Sequence, residues 1–152
     1  MRTEARKFLA KAISAMNSVE NNVWDGPGKE RRKNGIGEYY SSKRFAVVLE
    51  NLDRAMKLDS LDGYVNYLKG AYLAWANRLT ESKLEYEAVI CHYPAYSTPA
   101  KLMLAGVVGR LGNVLEAARL LEEYNSEQEV AGMPFMKATL EGLSLDKFVA
   151  PE

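Results

Sequence analysis

One short pattern recurs in this chain at nearly constant spacing, and the recurrence restricts the fold more than any single motif does. Val48-x3-Leu52, Ser82-x3-Tyr86 and Ala117-x3-Leu121 each set a small or β-branched residue four positions before a larger apolar one, and their starts lie 34 and then 35 residues apart. A four-residue step places both members of a pair on one face of a helix. Self-similarity at such a period marks stacked units, none of which can bury its apolar face alone.

The rest of the chain reads as helix and turn around that recurrence. From Thr3 to about Val19 the residues Phe8, Leu9, Ala12, Ile13 and Met16 follow helical spacing. Gly26, Pro27, Gly28, Gly35 and Gly37 then break it, predicting a long loop over 20–37. Helix two carries Phe45, Val48, Leu49, Leu52, Ala55 and Met56. Helix three, from near Leu61, carries Tyr64, Tyr67, Leu68, Ala71, Tyr72 and Trp75, and helix four runs from about Thr80 to His92, where Pro94 stops it. Helices five and six come from Leu102–Tyr124, hinged at Gly112-Asn113. The acidic start Glu127-Gln128-Glu129 predicts a seventh, bearing Val130, Phe135, Met136, Ala138 and Leu140. No alternating strand pattern appears, so the expected class is all-α with seven helices.

A small residue followed by an aromatic or leucine, with a terminal proline-type position at Ser60 and Pro94, resembles the tetratricopeptide repeat. The third copy adds Leu104-Ala105 at the family's Leu-Gly pair, Val108 at its tyrosine position and Gly112 at its turn. The second keeps Gly70, Leu73 and Pro94 but puts Asn66 and Lys69 where the family prefers large apolar residues. The first matches at "RAMKLDS", while glycine-rich residues 26–37 stand where its partner helix belongs.

This resemblance, carried by residues 41–125, implies one domain over 1–152. It would hold a first hairpin at 3–58 with an inserted loop at 20–37, a second repeat at 61–94, a third at 97–125 and a capping helix at 127–142. It implies an α-α superhelix whose concave wall is lined by the first helix of each pair. The wall residues would be Tyr64, Tyr67, Ala71, Ala74 and Trp75 from the second copy, and Leu102, Gly106, Gly109 and Arg110 from the third. An aromatic stripe reads equally as core: Tyr72 and Trp75 lean to core, Tyr64 and Tyr67 stay open between the two. Some family members clamp a terminal carboxylate with Lys and Asn; Tyr67 and Leu102 stand where such donors belong, so an apolar or aromatic-bearing peptide fits the wall better.

Composition limits the remaining readings. No apolar run approaches the roughly 18 residues of a membrane span, and Glu4, Lys7 and Lys11 interrupt any targeting segment at the start. A single cysteine, Cys91, cannot form an intrachain disulfide, which favours a reducing compartment and a cytoplasmic expectation. Residues 1–44 carry a net +5 and 45–152 a net −5, a basic patch for an acidic partner or a complementarity within the chain.

The basic cluster Lys29, Arg31, Arg32 and Lys33 fails as a phosphate loop, because Glu30 follows Lys29 and no strand precedes it. A solvated loop is the first expectation. The sharper one is a lid anchored by Trp24, with Arg31, Arg32 and Lys33 meeting acidic groups on a partner. His92 has no catalytic or metal-binding companion in the sequence, and Glu85, Glu87, Glu122 and Glu123 read as solvated surface. No catalytic, cofactor or metal site is expected. The leading expectation is a protein-interaction module, an adaptor or chaperone-like scaffold, that binds a protein or peptide segment, with self-association as a variant. The rivals are a small-molecule-binding or enzyme-associated domain using the Tyr64–Trp75 wall with His92 or the basic loop, and nucleic-acid contact through 29–33.

Overall fold

The computed structural model describes residues 2–24, 43–132, 134 and 136–143. Their regular structure is helical throughout: α1 (Arg2–Trp24), α2 (Lys43–Leu58), α3 (Tyr64–Trp75), α4 (Leu79–His92), α5 (Pro94–Arg110) and α6 (Val114–Ala131). Each of the later helices packs on the one before it in sequence, and α3 also meets α5. Expected positions Arg31, Arg32 and Lys33 lie outside the described residues. So does the side chain of Trp24, whose backbone ends α1.

The recurring pairs are where the chain is most buried. Val48, Leu52, Ser82, Tyr86 and Ala117 have no exposed surface, and Leu121 is also buried. Two apolar clusters result. Ala5 and Ala12 of α1 join Val48, Leu52 and Ala55 of α2 and Val65, Tyr72 and Leu73 of α3 in one. Leu79, Tyr86 and Val89 of α4, Ala100, Leu104, Ala105, Val107 and Val108 of α5, and Ala117, Leu120 and Leu121 of α6 form the other. Tyr67, Ala71 and Ala74 pack against that second cluster, so α3 feeds both.

The turns within the second and third hairpins share one backbone structure, displaced by 35 residues. Arg78 N–H bonds the Leu73 carbonyl and Asn77 N–H that of Ala74; Asn113 N–H bonds Val108 and Gly112 N–H bonds Gly109. This is the Schellman closure, which needs a left-handed residue. Asn77 (φ 62) and Gly112 (φ 96) supply it. Asn is one of the few side-chain-bearing residues that tolerate that region, which is why the first of these turns carries no glycine. Asn113 then caps α6 by accepting a hydrogen bond from Glu116 N–H at 3.1 Å.

Where α3 crosses α4, a β-carbon on Gly70 would lie 2.9 Å from Tyr86 Cε1. Ser82 Oγ donates to the Gly70 carbonyl at 2.7 Å in the same contact. Thirty-five residues on, the corresponding positions are Ala105, Ala117 and Leu121, all buried in the second cluster. The positions held by a glycine and a tyrosine in one hairpin are held by an alanine and a leucine in the next. Each copy conserves the summed volume that a close-packed crossing requires.

Three expectations about boundaries are corrected. Helix α5 begins at Pro94 rather than at Leu102, because a proline that ends one helix also suits the first turn of the next. Helix α1 continues through residues 20–24, which were expected to begin the loop, because Glu20, Asn21 and Asn22 are polar without breaking a helix and the first glycine is Gly26. The expected seventh helix does not form. Glu127, Gln128 and Glu129 belong to the last turns of α6, which runs on to Ala131 and stops at left-handed Gly132 (φ 73). Glu127 is held there by Lys101 at 2.6 Å and by Thr98 at 3.0 Å, both on α5.

Beyond Pro134, residues 136–139 are non-helical and 140–143 form a turn. This strap still covers the stack. Ala138 N–H bonds Asn125 Oδ1 at 2.8 Å while Asn125 Nδ2 bonds the Ala138 carbonyl at 2.9 Å, and Ala138, Leu140 and Leu143 pack on the second cluster.

Candidate functional site

Helices α1, α3 and α5 are the first members of the three hairpins, and a cleft of about 500 Å³ lies among them. Arg2, Arg6 and Leu9 of α1, Leu61 and Asp62 of the turn before α3, Tyr64 of α3 and Tyr96 of α5 line it. That turn is built for close quarters. Leu61 (φ 53), Asp62 (φ 62) and Gly63 (φ 94) are left-handed in succession, and any side chain on Gly63 would collide with the Tyr93 ring. Asp59 Oδ1 accepts from Leu61 N–H at 2.7 Å and steadies the reversal.

Charge and aromatic surface meet in this cleft. Arg2 reaches Asp62 at 2.9 Å and Asp59 at 3.6 Å, tying the start of α1 to the turn. The Tyr64 and Tyr96 rings meet edge to face with centroids 5.6 Å apart. Tyr67 stacks on Tyr96 at 5.9 Å and meets Tyr86 edge-on at 5.8 Å, so the aromatic array runs from the cleft wall into the core. Burial raises the Tyr67 phenol above its ordinary pKa of 10.0, helped by the phenols of Tyr124 and Tyr64. Tyr86 is raised further, chiefly by complete burial. Its hydroxyl has no hydrogen-bond partner among the described residues.

Of the expected wall residues, only Tyr64 lines the cleft. Tyr67, Ala71 and Leu102 instead pack, partly buried, against the second cluster. Gly109 is buried and Tyr72 belongs to the core. Trp75 is 48% exposed, so the core reading does not hold for it. Gly106 sits in the interior of α5 with nothing within 4 Å of where a β-carbon would be. Arg110 donates to Asn77 Oδ1 at 3.2 Å, linking the two Schellman turns, and burial lowers its pKa.

Sequence reasoning missed Arg2, Arg6, Leu9, Leu61, Asp62 and Tyr96. Their shared signal is position: most fall within the first turns of α1, α3 and α5 or just before them, where helices running side by side bring their starts together.

The polar residues that depart from the repeat pattern are matched across helices. Lys69 Nζ lies 2.9 Å from Asp53 on α2 and 3.3 Å from Glu85 on α4, and Asn66 donates to Glu85 at 3.4 Å. Burial alone would lower the Lys69 pKa, but the hydrogen bond to Asp53 and the charges of Glu85 and Asp53 raise it overall. Lys101, 35 residues after Asn66, pairs with Glu123 at 3.6 Å and Glu127 at 2.6 Å on α6. Glu85 and Glu123 are therefore helix-to-helix tethers rather than the solvated surface expected of them. Among the described residues no three His, Cys, Asp or Glu side chains gather as a metal site. No described helix is long and apolar enough to cross a membrane.

No protein-family model, curated protein or solved structure matches this chain.

Proposed function

We propose that this chain is a tetratricopeptide-like repeat scaffold that binds a segment of another protein along the face made by α1, α3 and α5. The observation that carries the reading is the cleft on that face, about 500 Å³ in volume and walled by residues from the first helix of every hairpin. The 35-residue recurrence of the Schellman turns supports the repeat architecture, and the alternation of Gly70–Tyr86 with Ala105–Leu121 supports it further. Tyrosine rings offer a large contact area with a polar tip at little entropic cost, which suits them to anchoring a partner. The open space beside Gly106 leaves room for a backbone to approach.

The test is capture with the immobilised chain. One polypeptide should be retained stoichiometrically and lost with Tyr64→Ser or Tyr96→Ser, each variant folded by circular dichroism. Retention unaffected by both substitutions would move binding off this face. A second reading, a small-molecule site, has the cleft volume in its favour, since ligand pockets run from about 300 to 1,000 Å³. Thermal stabilisation by a metabolite, with no polypeptide captured, would select it.

A further inference from the structure

Arg6 is the one charged side chain lining the cleft that forms no ion pair or hydrogen bond among the described residues. Arg2, one helical turn earlier, is engaged by Asp59 and Asp62. Residues four apart share a helix face, so the two guanidiniums look onto the same space, and Asp62 is already taken by Arg2. A guanidinium exposed beside two tyrosine rings offers a planar fork for an oxyanion, with an apolar wall next to it.

We propose that the cleft receives an acidic side chain of an extended protein segment, its carboxylate on Arg6 and the neighbouring apolar side chain of the same segment against the Tyr64 and Tyr96 rings. The inference rests on the binding face argued above and names the chemistry that face selects. A single fork with no partner among the described residues matches a monoanionic carboxylate. A phosphate dianion would meet the Asp62 carboxylate in the same cleft, and with Arg2 already committed to Asp59 and Asp62 only Arg6 is left to offset it. Nucleic acid needs a longer run of cations than this.

The experiment is a titration of isotopically labelled protein followed by NMR at constant ionic strength. The probes are acetyl-Glu-Leu-amide, acetyl-Gln-Leu-amide and inorganic phosphate. The glutamate probe should shift the Arg6 Nε–H signal and the Tyr64 and Tyr96 ring signals together. The glutamine probe should bind the same rings about five-fold more weakly, the weight of one partly exposed ion pair. Arg6→Gln should erase that difference without altering the thermal midpoint, since Arg6 has no partner within the described fold. Equal affinity for the two peptides, survival of the preference in Arg6→Gln, or tighter binding of phosphate than of the glutamate probe would each overturn the carboxylate inference and leave the binding face standing. Shifts confined to other surfaces would remove both.

Discussion

Tyr86 and Gly70 compete for one volume: the buried ring lies where a β-carbon on residue 70 would come within 2.9 Å of Cε1. With no exposed surface, Tyr86 has no open side toward which to retreat. Gly70→Ala should therefore destabilise the protein by about 1–3 kcal/mol despite alanine's better helix propensity. The third hairpin contains the compensated pair already, Ala105 with Leu121. Adding Tyr86→Leu to Gly70→Ala should recover part of the loss, measured as a positive coupling in a denaturant double-mutant cycle. Strict additivity would show that the two sites do not share space.

Tyr86→Phe isolates the hydroxyl from the ring. Removing a buried hydroxyl that has no partner among the described residues should leave stability unchanged or raise it by up to about 1 kcal/mol. A loss above about 1 kcal/mol in urea unfolding would reveal a hydrogen bond made by that group.

Alkaline stability should depend on three groups. Tyr67, Tyr86 and Lys69 have folded pKa values above their ordinary 10.0, 10.0 and 10.5. A raised folded pKa means that the unfolded chain loses its proton first. The contribution is complete below about pH 10 and is lost as pH rises through the folded values. Tyr86→Phe should move the midpoint of alkaline unfolding to higher pH, and Lys69→Met should remove part of the slope above pH 10. Superimposable alkaline transitions for wild type and both variants would contradict this assignment.

Gly106 separates stability from binding. A helical glycine with open space beside it is costly, so Gly106→Ala should stabilise by about 0.5–1 kcal/mol. Gly106→Leu should be tolerated in the free protein, because its β-carbon meets nothing within 4 Å. If a partner segment crosses α5 there, the leucine weakens its capture while thermal stability is retained. Capture equal to wild type would confine the partner to the cleft end of the face.

Asn125 secures the strap through both of its amide atoms. Asn125→Ala should cost about 1–3 kcal/mol and speed hydrogen exchange at the Ala138 amide, which would lose its 2.8 Å acceptor. Unchanged protection at Ala138 would mean that Leu140 and Leu143 hold the strap by packing alone.

Periodic burial was legible in the sequence, whereas the start of the cleft and the end of the stack were not. Val48, Leu52, Ser82, Tyr86, Ala117 and Leu121 could be read as core positions because each lies at a fixed offset within a helical period. The seventh helix was misread because acidic residues suit a first turn, but ion pairs with α5 also suit the end of α6, and only tertiary contact distinguishes the two. Tyr96 escaped notice for a related reason. Its neighbours in space, Tyr64 and Tyr67, are about thirty residues away in sequence and belong to another hairpin. Lys69 and Asn66 looked like defects in a repeat when read alone, and become a matched set only once Asp53 and Glu85 are brought beside them.

Helix α3 stands between the two apolar clusters, with Val65, Tyr72 and Leu73 committed to one and Tyr67, Ala71 and Ala74 packed on the other. Among the described residues, much of the packing between the halves of the molecule therefore runs through the twelve residues of this helix. A chain joined in this way can open from its amino-terminal side, releasing α1 and α2, while α4, α5 and α6 stay assembled. The cleft, which borrows walls from α1, α3 and α5, would be lost at that first opening. A segment bound across it would act as a brace between two folding units, raising the cost of separating them by its own binding energy.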